Sequence, residues 1–149
     1  MISLTATIKP KTDGFQHILI VDDNRLIQRT LFFILRDSGG YKPQLAGDIA
    51  TAMQLIRAEK PDLIILDLHF PMEQDMMSGV LTDGMWALNW IRQQAALETT
   101  PVIVISADAP EIAKAEAMHA GAAAYLQKPI DKGVLLQTVK ELLSYAQLK

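Results

Sequence analysis

The sequence predicts an α/β domain built on a five-stranded parallel sheet with helices on both faces. Two observations carry this. Short apolar runs bounded by turn-forming residues alternate with longer segments that repeat at helical spacing, and the alternation occurs five times. The runs are apolar throughout, without in-out patterning, as expected of strands buried on both sides.

Taken in order, His17-Ile18-Leu19-Ile20-Val21 is the first strand and runs into Asp22-Asp23. Asn24 to Arg36 carries Leu26, Ile27, Leu31, Phe33, Ile34 and Leu35 as an amphipathic helix, which stops at Ser38-Gly39-Gly40. Lys42 to Ala46 is a weaker strand. Asp48 then caps a helix through Ala58, its carboxylate accepting from otherwise unpaired backbone N–H groups. Pro61 turns the chain into Leu63-Ile64-Ile65-Leu66, which ends on Asp67. A loop from His69 to Thr82 leads to a helix from Asp83-Gly84 through Gln94. Pro101 opens the strand Val102-Ile103-Val104-Ile105, which runs into Ser106. Pro110 stands in the first turn of the next helix, and Gly121 closes it with a left-handed cap. Ala124-Tyr125-Leu126-Gln127 runs into Lys128-Pro129. Asp131 starts the last helix, with Val134, Leu135, Val139, Leu142 and Leu143 on its buried face. Residues 1–16 mix Thr, Lys, Pro, Asp and Gly without periodicity and are expected to form a flexible extension, leaving 17–149 as the domain.

With 149 residues the chain has the size of one ordinary domain, and 50% hydrophobic residues mark it as globular. A formal charge of −3 carries no basic excess, so direct nucleic-acid binding is not expected. The absence of cysteine excludes disulfides and thiolate chemistry. The apolar runs are too short for a transmembrane helix, which needs about 20 residues, and the N-terminus lacks the apolar stretch of a signal peptide. A cytoplasmic protein with no membrane partner is the expectation.

In an open parallel sheet, ligands sit beyond the carboxyl ends of the strands. Asp22, Asp23, Asp67, Ser106 and Lys128 all fall there. Three carboxylates about 5 Å apart repel by roughly 3 kcal/mol per pair at an effective dielectric near 20. A hard divalent cation such as Mg²⁺ offsets that and shields Asp67 against an incoming phosphoryl group. Lys128 supplies positive charge and Ser106 a hydroxyl donor to the phosphoryl oxygens, while the small Ala107 leaves the entrance open. The set suits metal-assisted phosphoryl transfer onto a carboxylate.

These residues carry a resemblance. Ile20-Val21-Asp22-Asp23-Asn24, Leu66-Asp67-Leu68-His69-Phe70-Pro71, Asp83-Gly84, Val104-Ile105-Ser106-Ala107 and Lys128-Pro129 make the chain, from about residue 17 to 146, similar to the receiver domains of two-component response regulators. The resemblance, nearest to single-domain chemotaxis-type regulators, implies a flavodoxin-like (βα)5 fold with strand order 2-1-3-4-5. It implies that Asp67 accepts a phosphoryl group from a phosphohistidine of a sensor histidine kinase or histidine phosphotransfer protein. Asp23 would bind Mg²⁺ directly, Asp22 directly or through water, Asp67 would be a third ligand, and the backbone carbonyl of His69 a fourth. Ser106 and Lys128 would hold the phosphoryl oxygens, and Lys128-Pro129 would be cis. Ser106 and Tyr125 would form the switch that reports phosphorylation to a downstream protein through the face from about Pro110 to Tyr145.

The family usually places its Asp-Gly pair seven residues after the phosphoacceptor, whereas Asp83 lies sixteen after Asp67, so 72–82 contains an insertion of about nine residues. It is expected to be a tolerated surface loop, because closure entropy grows slowly with length. His69 and Asp108, each two residues beyond a site residue, are expected to tune phosphoryl lifetime, with the His69 side chain facing the approach. His17 and His119 are expected to be structural or solvated, and Trp86 and Trp90 packing residues. The chain ends soon after the fifth helix, which suggests a stand-alone receiver, monomeric or weakly dimeric, with a receiver excised from a larger regulator or hybrid kinase as the alternative. It is expected not to be an enzyme, beyond self-catalysed phosphorylation and dephosphorylation. An aspartyl-phosphate phosphohydrolase is disfavoured, since such enzymes carry a second Asp where His69 stands.

Overall fold

The computed structural model describes residues 7–10, 13–69 and 83–146, so the expected insertion at 72–82 lies outside the described residues, as do 1–6 and 11–12 of the expected extension. The strands are β1 (His17–Val21), β2 (Lys42–Ala46), β3 (Leu63–Asp67), β4 (Val102–Ser106) and β5 (Ala124–Gln127), and the helices are α1 (Arg25–Phe33), α2 (Ile49–Ala58), α3 (Asp83–Gln93), α4 (Pro110–His119) and α5 (Lys132–Ala146). All strand pairs are parallel and the order is β2-β1-β3-β4-β5, as the resemblance implies. β2 is an edge strand, where Pro43 can sit without removing a central ladder bond.

Every residue of β1, β3 and β4 is buried. Their side chains alternate between two cores. Leu19, Val21, Ile64, Leu66, Val102 and Val104 face α2, α3 and α4 through Ile56, Leu88, Ile91 and Ala117. Ile18, Ile20, Leu63, Ile65, Ile103 and Ile105 face α1 and α5 through Leu31, Leu35, Leu135, Val139 and Leu143. This two-sided burial is the physical origin of the uninterrupted apolar runs.

Capping follows the sequence closely. Asp48 Oδ1 accepts from Thr51 N at 2.7 Å, and Asp131 Oδ1 from Val134 N at 2.9 Å. Asn24 caps α1 in the same way, accepting from Ile27 N at 3.1 Å. Gly121 takes a φ of +112° after α4, as expected of a left-handed cap.

Three local expectations are corrected. The first helix does not run regularly to Arg36: it widens into a π-helical turn at Ile34–Ser38, and Gly40, at φ +73°, reverses the chain. Val134 is 51% exposed, because it lies off the stripe of Leu135, Val139 and Leu143, whose spacing of four sets the buried face of α5; Leu142 is half-buried at its edge. The described part of the N-terminal segment is docked. Ile8 packs against the first core, Lys9 N donates to Arg57 O at 3.1 Å, and Lys60 N donates to Lys9 O at 2.6 Å. Trp90 packs as expected, against the first core and beneath Arg57, while Trp86 is 38% exposed.

Candidate functional site

The strand register assembles the site. Val21 lies beside Leu66, Asp67 beside Ile105, and Ser106 beside Gln127, so the next residue along each strand emerges at the same edge of the sheet. Backbone bonds extend the ladder there: Asp22 N to Ala46 O at 3.0 Å, Leu68 N to Ile105 O at 2.9 Å, and Lys128 N to Ser106 O at 2.7 Å. The Gln28 side chain also donates to Asp22 O, anchoring α1 to the end of β1. The peptide bond Lys128-Pro129 is cis, as the resemblance implies.

Asp22, Asp23 and Asp67 each bring one carboxylate oxygen within 4.8 Å of the others. Asp22 and Asp67 are buried and Asp23 is exposed. At that separation the buried pair repels by about 3.5 kcal/mol or more at an effective dielectric near 20. Lys128 lies between them, its Nζ 3.2 Å from Asp22 Oδ2 and 3.3 Å from Asp67 Oδ1. His69 N also donates to Asp67 Oδ1 at 3.2 Å, and Asn24 N to Asp22 Oδ1 at 2.8 Å. Burial pushes the Asp22 carboxyl up from its ordinary value. The Asn24 N–H opposes this, the Asp67 charge adds to it, and Lys128 opposes it again.

Does this donor set fit a divalent cation? Among the described residues Lys128 pairs with Asp22 and Asp67, and Asp23 adds a third carboxylate, leaving excess negative charge. Asp22 Oδ2 is buried without an aligned hydrogen-bond donor among the described residues, despite the nearby ammonium. The available donors are all oxygens, the hard set that Mg²⁺ prefers. The site therefore fits the ion.

Ser106 and Tyr125 meet through one residue. Ser106 is fully buried and its Oγ accepts from Asp108 N at 3.0 Å, while buried Tyr125 donates its hydroxyl to Asp108 O at 2.8 Å. The Asp108 side chain also reaches His69, with Oδ2 2.6 Å from Nε2, so the loops after β3 and β4 are bridged at the rim of the site. Asp108 thus touches three expected site positions, a linkage sequence reasoning missed. The only available signal was its place two residues after Ser106. Gly84 is explained by contact: a Cβ there would stand 2.3 Å from Leu68 O and 2.4 Å from Asp67 O. Ala107 is exposed at the rim, whereas His119 lies on exposed α4 surface and His17 at the opposite end of the sheet.

The family model described as "Response regulator receiver domain" matches residues 18–140. The chain is 29% identical over 129 residues to the polar-differentiation response regulator DivK of Brucella anthropi, covering 87% of this chain and 97% of that protein. It is 30% identical over 129 residues to the transcriptional regulatory protein YxdJ of Bacillus subtilis, covering 87% of this chain and 51% of YxdJ. Among solved structures, the CheY-like response regulator receiver domain protein of Methanospirillum hungatei superposes with a TM-score of 0.76 at 25% identity, covering 90% of this chain and 98% of that one.

Proposed function

Because the chain belongs to the response regulator receiver domain family, we propose that it is a phosphoacceptor that takes a phosphoryl group from a phosphohistidine onto Asp67 and thereby switches a protein-binding face. The carrying observation is the Asp67 carboxylate at the end of β3, with Lys128 Nζ 3.3 Å from Oδ1 and two further carboxylates beside it. In the reaction, an Asp67 carboxylate oxygen attacks phosphorus as the P–N bond of the donor breaks. The bonding electron pair goes to the imidazole nitrogen, and an acyl phosphate forms. Mg²⁺, held by Asp22, Asp23, Asp67 and, by the family resemblance, the His69 carbonyl, would neutralise charge on the phosphoryl oxygens. Lys128 is placed to follow the new charge from carboxylate to phosphoryl oxygen.

If Ser106 swings toward a phosphoryl oxygen, as the family resemblance implies, its Oγ moves away from Asp108 N. That move frees the Asp108 backbone, whose carbonyl holds Tyr125. The coupling from chemistry to surface therefore runs Ser106, Asp108, Tyr125, and onward to α4, β5 and α5. The partners on this reading are a sensor histidine kinase or histidine phosphotransfer protein and a downstream protein. The reading makes the chain a signalling acceptor rather than an enzyme with a released product, and its setting cytoplasmic. Among the described residues no helix is long and apolar enough to cross a membrane.

Intact mass after incubation with acetyl phosphate tests the proposal. The expected result is a gain of one phosphoryl group that requires Mg²⁺ and is absent in Asp67→Asn. An equal gain in Asp67→Asn would place the acceptor elsewhere.

A further inference from the structure

At the end of the sheet remote from Asp67, His17 opens β1 with its side chain only 3% exposed. Two carboxylates flank the ring: Asp13 Oδ1 lies 2.7 Å from Nε2, and Glu59 Oε1 lies 3.1 Å from Nδ1. The two contacts differ in kind. The first is a hydrogen bond, whereas Nδ1 has no aligned hydrogen-bond partner among the described residues although the Glu59 oxygen is close.

A carboxylate oxygen beside a ring nitrogen but off its axis is the arrangement of two ligands on one cation. With metal–nitrogen and metal–oxygen bonds of about 2.1 Å, a separation of 3.1 Å subtends an angle of about 95° at the ion. Asp13 stands where the partner of a metal-ligating imidazole usually stands: its carboxylate accepts from the second ring nitrogen and leaves the buried Nδ1 facing Glu59. Lys42 Nζ, 2.6 Å from Asp13 Oδ2, keeps that carboxylate charged, and Phe15 N donates to it as well. The Lys42 and His17 bonds hold the Asp13 carboxyl well below the usual carboxylate range.

We propose that His17 Nδ1 and Glu59 are the protein ligands of a second divalent-metal site, with Asp13 as the carboxylate behind the histidine and water completing the shell. One imidazole with carboxylate and no thiolate selects a borderline ion of the Zn²⁺ class, and disfavours Mg²⁺ and Ca²⁺, which take all-oxygen shells. The site joins the foot of β1 to the turn after α2 and, through Asp13, to the N-terminal segment whose Lys9 backbone already bonds Arg57 and Lys60. Occupancy would fasten that segment to the sheet.

The test is Zn²⁺ titration of the full chain with excess Mg²⁺ present to occupy the Asp22–Asp23–Asp67 cluster. It is read by imidazole ¹⁵N shifts and by thermal unfolding. We expect the His17 Nδ1 resonance alone of its two nitrogens to move strongly, and Tm to rise with Zn²⁺ concentration. Glu59→Gln should remove both responses while leaving the Tm response to Mg²⁺ intact. A His17 ring that carries protons on both nitrogens and ignores Zn²⁺ would overturn the site in favour of an imidazolium bridging two carboxylates. A Tm rise with Zn²⁺ that persists in Glu59→Gln without a His17 Nδ1 shift would overturn it by placing the ion on the other cluster, and an undiminished His17 shift would overturn it by removing Glu59 from the shell.

Discussion

Asp22→Asn should stabilise the metal-free protein while weakening its response to Mg²⁺. The Asp22 side chain is fully buried, and its oxygen lies within 4.8 Å of an oxygen of Asp67. At an effective dielectric near 20 that pair repels by about 3.5 kcal/mol, and the exposed Asp23, discounted for solvent screening, adds about 1 kcal/mol. Lys128, at 3.2 Å, returns about 5 kcal/mol on the same scale. The Coulomb contributions nearly cancel, so desolvation decides. Burying a carboxylate costs several kcal/mol, of which the Asn24 N–H recovers part. Asparagine keeps an oxygen for that N–H and removes the charge. We expect a net gain of about 2 kcal/mol, or roughly 1 M in urea midpoint.

The sign of the pH dependence follows. The folded-state pKa of Asp22 lies above its ordinary value of 3.8, so the folded protein binds this proton more tightly than the unfolded chain. Its destabilising contribution is absent at pH below that ordinary value, grows as pH rises, and is complete above the raised folded pKa. In chelator, the stability gap between Asp22→Asn and the parent should open over that interval. Saturating Mg²⁺ should then narrow or invert the gap, since a ligand at 100 times its Kd adds about 2.7 kcal/mol to the protein that binds it. Urea unfolding across pH, with and without Mg²⁺, measures all of this. An Asp22→Asn protein less stable than the parent in chelator at neutral pH would refute the reasoning.

Four further outcomes are expected. Lys128→Ala leaves Asp22 and Asp67 without their shared counter-ion, and should lose about 3 kcal/mol in chelator, most of it restored by Mg²⁺ in the same unfolding assay. It should also uncouple phosphorylation from the conformational change, seen as unchanged Tyr125 ring resonances on treatment with acetyl phosphate. Gly84→Ala forces a methyl against two backbone carbonyls that cannot yield, and should cost about 3 kcal/mol or more by denaturant titration. Tyr125→Phe removes the bond to Asp108 O and should lower stability by about 1 kcal/mol, with phosphoryl incorporation by mass preserved.

Much of the fold was legible because burial leaves a period in the sequence. Strands covered on both faces need apolar residues at every position, and Asp48, Asp131, Pro110 and Gly121 punctuate the helices for local backbone reasons. The site was legible for a related cause: a parallel register delivers whatever follows each strand to one edge. What escaped has no periodic signature. The docking of Lys9 uses only backbone groups, which every residue carries. The His69–Asp108 pair depends on two loops 39 residues apart in sequence approaching in space. Gly84 could be picked out beside Asp83, but its necessity appears only once the carbonyls of Asp67 and Leu68 are placed beneath it.

If phosphorylation at Asp67 switches this domain as proposed, the Asp108 backbone would set the energetic condition. Turning Ser106 toward a phosphoryl oxygen orphans the Asp108 N–H, a cost of about 1–3 kcal/mol if that group stays buried. A hydroxyl bonded to a charged phosphoryl oxygen gains about 1.5–3 kcal/mol. These nearly balance, so Ser106 alone cannot drive the transition. Moving a population from 1:99 to 99:1 takes about 5.5 kcal/mol of differential interaction. The remainder must come from Lys128 exchanging its two carboxylate contacts for a phosphoryl group, and from the loop carrying Asp108 finding new partners once released. On the proposed reading, Lys128 and Asp108, rather than the hydroxyl, would therefore decide how completely phosphorylation commits this domain to one state.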